Sequence, residues 1–485
     1  MHQVLCPQCG AQAVFQSTAS VMVVCGACHS TLLKDAESVR LLGQLSQVLE
    51  DCSPIRLGSV GDYEGRHFTV VGRLQMRYEA GYWNEWYVWF GDGRDGWLSD
   101  ASGQYALTLR VDDPHPSVDR PLFENLRPGL PFTFEKTPFV AADIRDCRCV
   151  GGEGELPFVV ADGWQARVAD YRHGLAFLTL DYSDGVRPTF YLGRSVSLDV
   201  LQPGSLRSEA EILEAAGRYR GQVKPVECPN CGAPIVIVAG LTTMATCAAC
   251  SSQVDFSDTQ AVVVQAHHRQ QMLRPKLPLG SKGRFFDAEY TVIGLLRFDV
   301  PDDASEPIWS EYLLFNARRG YLWLIESQQG WLRTLVCDVW PLHSPGGSAR
   351  LEGQAWHQQY SYRARVTAVS GAFNWQVAKG DITLVTDFSH GARVLSCEVS
   401  DHEMTWSMSV PMPDAAIAKA FNRPDLVRKL AATPVNAEKE KYLIELALLA
   451  SVALVAFAED VDLMTIMIGL LFLWAPVAVQ YLMKE

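Results

Sequence analysis

With 485 residues, 48% hydrophobic and 20% charged, the chain has the composition of a globular protein and not of a disordered one. The length exceeds what one hydrophobic core organises, so we expect about three domains. A formal net charge of −13 argues against general nucleic-acid binding, which depends on a basic surface.

Each half of the chain begins with four cysteines in two CxxC pairs. These are Cys6, Cys9, Cys25 and Cys28 in the first half, and Cys228, Cys231, Cys247 and Cys250 in the second. Fifteen residues separate the pairs in both groups, and each cysteine of the second group lies 222 positions after its counterpart. This spacing predicts two zinc ribbons, over 1–34 and 223–256, each holding one structural Zn²⁺ with no open position for catalysis. The constant offset also predicts a tandem duplication.

The remaining cysteines do not form a disulfide framework. They are odd in number and irregularly spaced: Cys52, Cys147, Cys149, Cys337 and Cys397. Because the N-terminal segment has no basic region followed by an apolar stretch, we expect a cytoplasmic protein without a signal peptide. Cys147 and Cys149 could form a metal or redox pair, but an incidental pair is the simpler interpretation, since the second half has no counterpart.

Short helices are predicted to link the domains, over 35–52, 206–222 and 257–275. Asp35 could cap the first, and the Ser208 to Glu211 spacing is that of a capping box at the start of the second. In the third, His267 and His268 are interpreted as surface residues and not as metal ligands, because the cysteines already complete that site.

Two β domains, over 53–205 and 276–413, follow the ribbons. Runs rich in Val, Tyr, Trp, Phe and Thr with frequent glycines predict antiparallel strands. The runs align between the halves: Phe68–Leu74 with Tyr290–Leu296, and Asp170–Gly174 with Asp387–Gly391. The predicted fold is therefore mainly β.

The candidates for catalysis are weak. No nucleophile elbow, phosphate-binding loop or HExxH motif is present. The repeated pairs Asp170 with His173 and Asp387 with His390 could each orient a general base, although such pairs more often cap a turn. Four tryptophans could line a ligand pocket, but core packing explains most of them: Trp83, Trp86, Trp89 and Trp97. We assign no catalytic residue.

The C-terminal segment is apolar. A helix over 414–436 carries basic residues that could meet lipid headgroups, although an ordinary connecting helix is an equal alternative. Two apolar runs over 440–484 predict a transmembrane hairpin, with both ends on the cytoplasmic side because lysines flank the runs and the connector is acidic. Glu445, one turn into the first run, is expected at the interface.

The β domains resemble a known bacterial family, the domain of unknown function 4178. The motifs that carry the resemblance are Trp309–Tyr312, Trp323–Glu326, Gly330–Trp331, Gly371–Trp375 and Gly380–Asp381, with weaker counterparts at Asn84–Tyr87 and Glu155–Phe158. In the first half Gly91–Asp95 replaces part of the pattern. The resemblance implies a bacterial protein, often with a zinc ribbon or membrane segments, linked to membrane-stress or polyamine systems. It implies no catalytic residue.

These observations together favour a non-enzymatic scaffold or adaptor at the cytoplasmic face of the bacterial inner membrane. It would hold two structural zinc ions, contact the bilayer through the hairpin and bind an unidentified protein. One alternative is a small-ligand sensor or enzyme that uses the β domains. A second is nucleic-acid binding through the ribbons, which the few basic residues near the cysteines disfavour.

Overall fold

The computed structural model describes residues 2–34, 39–44, 53–208, 210–212, 226–255, 262–265, 275–427, 445–456 and 463–482, apart from short gaps inside these ranges. Antiparallel β-structure dominates the described chain, which confirms the predicted mainly β fold.

Strands of the first half are numbered in chain order. They are β1 (His2–Leu5), β2 (Gln12–Phe15), β3 (Met22–Val24), β4 (Ser30–Lys34), β5 (Val39–Gln44), β6 (Val60–Tyr63), β7 (Arg66–Arg77), β8 (Tyr82–Phe90), β9 (Asp95–Ala101), β10 (Gln104–Arg110), β11 (Pro131–Phe134), β12 (Thr137–Leu156), β13 (Gln165–His173), β14 (Ala176–Asp181) and β15 (Thr189–Val196).

The second half repeats this order with one additional short strand, β26. Its strands are β16 (Val226–Glu227), β17 (Pro234–Ile235), β18 (Met244–Thr246), β19 (Gln253–Asp255), β20 (Val262–Gln265), β21 (Lys282–Phe285), β22 (Ala288–Asp299), β23 (Trp309–Asn316), β24 (Gly320–Ser327), β25 (Gly330–Val336), β26 (Leu342–Ser344), β27 (Ser348–Leu351), β28 (Gln354–Phe373), β29 (Ile382–His390), β30 (Arg393–Val399) and β31 (Met404–Met412). Short 3₁₀ turns lie at Phe123–Asn125, Leu198–Val200, Pro203–Ser205 and Pro424–Leu426.

Each four-cysteine unit is built from two β-hairpins. In the first unit β1 pairs with β2, and β3 pairs with β4. Strand β3 also pairs with β12 of the following domain, where Met22 lies opposite Leu156. The second unit repeats this arrangement, since β18 pairs with both β19 and β28. The second hairpin of each ribbon is therefore part of the large sheet, whereas β1 with β2 and β16 with β17 form separate two-stranded sheets.

The large sheet of each half closes on itself. In the first half the circuit runs through β7, β8, β9, β10, β15, β14, β13 and β12, and β12 pairs again with β7. The closing strand, β12, has 20 residues because it pairs with two different strands along its length. Its first part pairs with β13 and its second part pairs with β7. A register shift lies between Cys149 and Gly151, at the start of the part that pairs with β7, as expected where a β-bulge bends a strand.

The second half forms the same circuit from β22, β23, β24, β25, β31, β30, β29 and β28. Equivalent residues occupy equivalent pairs. Asp170 lies opposite Asp143 and Asp387 lies opposite Tyr360, each next to a register shift in the closing strand. The duplication predicted from the cysteines thus extends to the irregularities of the sheets.

The two β domains pack against each other. Ala142 of β12 lies in one apolar cluster with Trp340, Trp356 and Trp406 of the second domain. Trp340 donates its backbone N–H to the carbonyl oxygen of Gly174 at 2.9 Å. Residues Met1–Arg423 accordingly form one compact unit, and Pro424–Glu485 form another.

The linking segments differ from the predicted helices in two places. Val39–Gln44 and Val262–Gln265 are strands, because each pairs with the last strand of its ribbon and extends the sheet. That gain in backbone pairing outweighs the helical apolar spacing of the sequence. The other parts of 35–52 and 257–274, including Asp35, His267 and His268, lie outside the described residues.

The second predicted linker, over 206–222, begins as expected. Ser208 and Glu211 form the reciprocal capping box: the backbone N–H of Ser208 donates to Glu211 Oε2 at 2.6 Å, and the backbone N–H of Glu211 donates to Ser208 Oγ at 3.2 Å. Helical residues 210–212 follow, and Ile212 is buried in the core of the second β domain. This linker therefore contributes to packing as well as to connection.

The helix predicted over 414–436 is shorter than expected. It spans Asp414–Ala420. Asn422, two residues after its end, has a φ of 52°, and Pro424 follows. A left-handed residue followed by proline ends a helix, because neither continues its backbone geometry. Residues 428–436 lie outside the described part of the chain.

Further helices lie at 445–452 and at Leu463–Leu482, with side chains of the second described as far as Ala475. Within the described ranges, we find no helix with both the length and the apolar character needed to traverse a lipid bilayer. The structure therefore does not support the predicted transmembrane hairpin over 440–484.

Candidate metal centres and a repeated carboxylate group

The eight predicted cysteine ligands assemble into two groups. Within each group the ligand atoms all lie within 4.8 Å of one another. The Sγ–Sγ distances are 3.6 Å for Cys6 to Cys28 and 3.7 Å for Cys9 to Cys25. In the second group, Cys228 to Cys250 and Cys231 to Cys247 are both 3.7 Å apart.

These distances fit a metal ion at the centre of four thiolates. A tetrahedron with metal–sulfur bonds of about 2.3 Å has edges of ~3.8 Å, whereas a disulfide would bring two sulfurs to about 2.0 Å. The residues therefore fit Zn²⁺ in a closed structural site. The ion would cross-link the two hairpins of each ribbon, and it would leave no position for a substrate.

Local backbone geometry positions the thiols. In the first hairpin, Cys6 N–H donates to Ala11 O and Gly10 N–H donates to Cys6 O, both at 2.8 Å. Gly10 has a φ of 75°, and Gly232 has 72° in the equivalent turn, a region that glycine adopts without strain. The glycine after each first CxxC pair therefore allows the tight turn that directs both sulfurs to one point.

Hydrogen bonds favour the thiolate form at one ligand of each group. Ser30 lowers the pKa of Cys28 to about 6, with its hydroxyl oxygen 3.2 Å from Sγ. Partial burial acts to raise the pKa of Cys250, but Ser252 and Asn230 bring that pKa down to about 6. Because the thiolate is the metal-binding form, these hydrogen bonds favour metal binding by one ligand of each group.

The Asp–His pairs considered as candidate bases do not form. Asp170 accepts a hydrogen bond from Thr179 Oγ1, and Asp387 accepts one from Ser396 Oγ, both at 2.6 Å. Each histidine lies three residues after its aspartate in a strand, so the two side chains point to opposite faces of the sheet. The His390 ring nitrogen Nδ1 is instead 3.0 Å from the carbonyl oxygen of Ala355.

Cys147 and Cys149 are buried in an apolar cluster. The Cys147 thiol donates to Ala166 O at 3.2 Å and the Cys149 thiol donates to Gly151 O at 3.4 Å. Desolvation raises the pKa of Cys147 far above its usual range, which opposes thiolate chemistry. Their surroundings agree with an incidental pair.

The tryptophans are mostly part of the cores. Trp86 is 1% exposed and lies in the cluster beneath β7 to β10, with the Arg73 guanidinium 4.6 Å above its ring. Trp83 and Trp97 pack against the cluster that contains Cys147. Core packing thus accounts for three of the four tryptophans considered.

A group of carboxylates that was not predicted from the sequence repeats in both closed sheets. Register alignment equates Glu85, Asp170 and Asp181 of the first domain with Glu311, Asp387 and Glu398 of the second. In the first domain Asp170 and Asp181 both act electrostatically on Glu85, although their strands are not sheet neighbours of its own. Closure of the sheet therefore brings the three carboxylates close enough to interact electrostatically.

The carboxylates in this group hold protons more strongly than free side chains do. Burial raises the pKa of Glu85 and of Glu311 to about 7 each. Trp83 Nε1 donates to Glu85 at 2.7 Å, and Trp309 Nε1 donates to Glu311 at 2.8 Å. Burial together with Glu311, Asp387 and Glu403 raises the pKa of Glu398 to about 8.

The two interiors differ in their balance of charge. In the first domain burial raises the pKa of Asp170 to about 6, while Arg172 and Arg145 act to lower it. In the first domain Arg145 lies opposite Val168. At the equivalent pair of the second domain, Tyr362 lies opposite Val385, so a tyrosine replaces the arginine. A signal for these groups was present in the sequence, since Glu85 and Glu311 occupy aligned aromatic motifs.

Comparison with known proteins agrees with the internal repeat. The profile of the family "Domain of unknown function (DUF4178)" matches residues 56–198 and 278–413, one segment in each half. No curated protein and no solved structure matches the chain. Because the two segments cover more than half of the chain and each follows a four-cysteine group, the protein belongs to the DUF4178 family, with two tandem copies of the domain.

Proposed function

We propose that this protein is a non-enzymatic scaffold in which zinc stabilises two β domains that present binding surfaces to a protein partner. The observation that supports this function most directly is the pair of closed four-cysteine groups at the edges of the two sheets. A ribbon too small to have a large core gains its folding free energy from the metal, so the ions would secure the sheet edges.

Metal analysis tests this proposal. Protein purified under reducing conditions without chelator should contain two zinc ions per chain, because both groups have the spacing of a zinc–thiolate tetrahedron. Cys228→Ser should reduce the content to one. Zinc-free protein, or unchanged content in the variant, would contradict the proposal. Cys397→Ser is the control, since that buried thiol lies outside both groups.

We further propose that the C-terminal unit attaches the protein to the cytoplasmic face of the bacterial inner membrane. The support is a set of exposed apolar side chains on its helices, including Leu449 at 70% and Phe472 at 72% exposure. Apolar surface of this extent is favourable only when something covers it, and a lipid surface would do so.

Flotation with vesicles of bacterial lipid tests the attachment. The full chain should float with the vesicles, and a chain that ends at Arg423 should remain in the dense fraction with its zinc content unchanged. Equal flotation of both chains would refute the assignment of attachment to this unit. If neither chain floats with the vesicles, attachment to lipid is refuted, and a protein would be the partner that covers the apolar side chains.

A second candidate function is the binding of an organic cation inside the second β domain. The specific observation is that Glu311, Asp387 and Glu398 act on one another there, with tyrosine in place of the arginine of the first domain. Amine cations suit a site of carboxylates and aromatic rings. Calorimetric titration with spermidine at pH 8.5 should show binding that Glu311→Gln weakens and the exposed Glu289→Gln does not; absence of binding would exclude this candidate.

A further inference from the structure

The two metal centres differ in how their ribbons are joined to the closed sheets. In the first half, Glu155 of β12 is 2% exposed, and its carboxylate accepts three hydrogen bonds from the ribbon. The donors are the backbone N–H groups of Gln16 at 2.6 Å and Ser17 at 3.0 Å, and the hydroxyl of Ser20 at 2.7 Å. All three belong to the loop between β2 and β3, which connects the two cysteine pairs.

The second half has no such carboxylate at the equivalent position. Val23 lies opposite Glu155 in the first half, and its counterpart Ala245 lies opposite Ala372 in the second. The methyl group of Ala372 cannot accept a hydrogen bond. Within the described part of this ribbon, Gln253 Nε2 donates a neutral hydrogen bond to Val377 O of the domain at 3.1 Å. Residues 238 and 239, the counterparts of Gln16 and Ser17, lie outside the described residues.

A buried carboxylate that accepts several N–H and O–H groups forms stronger hydrogen bonds than a neutral amide does, and it cannot lose them without a large desolvation cost. The loop of the first ribbon is therefore fixed before a metal arrives. A ligand set that is already ordered loses less conformational entropy when the metal binds, so its complex dissociates less readily.

We infer that Glu155 is a positioning residue for the first metal centre, and that the two centres are consequently unequal: the first retains its zinc ion and the second exchanges it. This inference rests on the proposed binding of zinc. It makes the second ribbon the part of the scaffold that responds to the supply of metal.

Zinc release from the full chain, followed with an excess of a chromophoric chelator, tests the inference. Two ions should leave in two phases. Cys6→Ser should remove the slow phase and Cys228→Ser the fast one. Glu155→Gln should accelerate the slow phase by roughly tenfold to a hundredfold, the factor that corresponds to the loss of a hydrogen bond to a charged group, and should leave the fast phase unchanged.

Glu153→Gln is the matched control. It makes the same change two residues earlier on the same strand, where the carboxylate is partly exposed and pairs with Arg73 at 3.3 Å. It should not alter either phase. Ser20→Ala removes a single donor to Glu155 and should accelerate the slow phase by less than Glu155→Gln does, which keeps the test valid if Glu155→Gln does not fold.

The outcomes separate this inference from the proposed function. Protein that contains no zinc refutes both. Protein that contains two ions but releases them at equal rates, or whose slow phase is unaffected by both Glu155→Gln and Ser20→Ala, refutes the inference alone. Co²⁺ absorption provides a second readout, because Glu155→Gln should change the charge-transfer bands assigned to the first centre and leave those of the second.

Discussion

At the scale of single residues, the carboxylates inside the closed sheets should make stability depend on pH. The folded-state pKa values of Glu311, about 7, and Glu398, about 8, exceed the ~4.3 of an unfolded glutamate. Between the unfolded and folded values the native state binds more protons, so the free energy of unfolding falls as the pH rises. The contribution of these two glutamates to the free energy of unfolding is fully present below about pH 4 and is lost by about pH 8.

We therefore predict that the urea midpoint of zinc-loaded protein is lower at pH 8.5 than at pH 6. Glu311→Gln removes one of these titrations, so its midpoint should change less over this range and should exceed that of the wild type at pH 8.5. Glu289→Gln changes an exposed carboxylate paired with Lys282 and should keep the wild-type pH dependence. An equally steep dependence in Glu311→Gln would contradict the assignment.

At the scale of elements, the closing strands β12 and β28 depend on glycine where three strands meet. Gly371 of β28 pairs with Gly294 of β22 on one side and with Thr246 of β18 on the other. Its φ is 89°, and a Cβ there would lie 2.3 Å from the carbonyl oxygen of Ile293. The ribbon can join the closed sheet at this point because no side chain separates the strands.

Gly371→Ala should accordingly be much more destabilising than a glycine replacement in an open turn. Gly353 has a φ of 78°, and a Cβ there would have no neighbouring atom within 4 Å. Gly353→Ala should therefore cost only the penalty for placing alanine in the left-handed region, about 1 kcal/mol. For Gly371→Ala we expect roughly two to three times that loss in urea unfolding. Equal losses in the two variants would show that the strands can move apart at little cost.

At the scale of the whole molecule, specific contacts join the two β domains into one unit. Trp340 is 6% exposed, and its ring lies 5.5 Å from the guanidinium of Arg172 of the first domain. Arg172 also donates to the carbonyl oxygen of Asp338 at 2.6 Å. Arg145 of the first domain pairs with both Asp143 and Glu403. These contacts join the tandem copies asymmetrically, since tyrosine takes the place of Arg145 in the second.

Trp340→Ala should therefore loosen the joined domains. We expect a loss of about 3–5 kcal/mol, as for a large buried side chain, and two calorimetric transitions in place of one. Leu342→Ala, at an exposed position two residues later, is the control and should unfold as the wild type does. A single transition in Trp340→Ala with an unchanged midpoint would show that the domains are not coupled through this residue.

Much of the architecture could be predicted from the sequence, because the decisive signals are local or repeat at a fixed interval. CxxC spacing brings four sulfurs together through short turns, and the offset of 222 residues identifies the duplication and the matching strands. Ser208 and Glu211 form their capping box because both partners lie within one helical turn.

Other features depend on tertiary contacts. The spacing of apolar residues around Val39–Gln44 predicted a helix, but this segment is a strand that pairs with β4. The sequence pattern could not show this, because β4 is available for pairing only after the ribbon has folded. The Asp–His spacing could not show that a strand would separate the two side chains. The interior carboxylates are neighbours only because the sheet closes, and Glu155 contacts Ser20 across 135 residues of chain. Short-range spacing was thus enough to identify the two four-cysteine groups and the repeat. Closure of the sheets, by contrast, brings charges together that are distant in sequence, and it decides that Glu155 contacts the first ribbon.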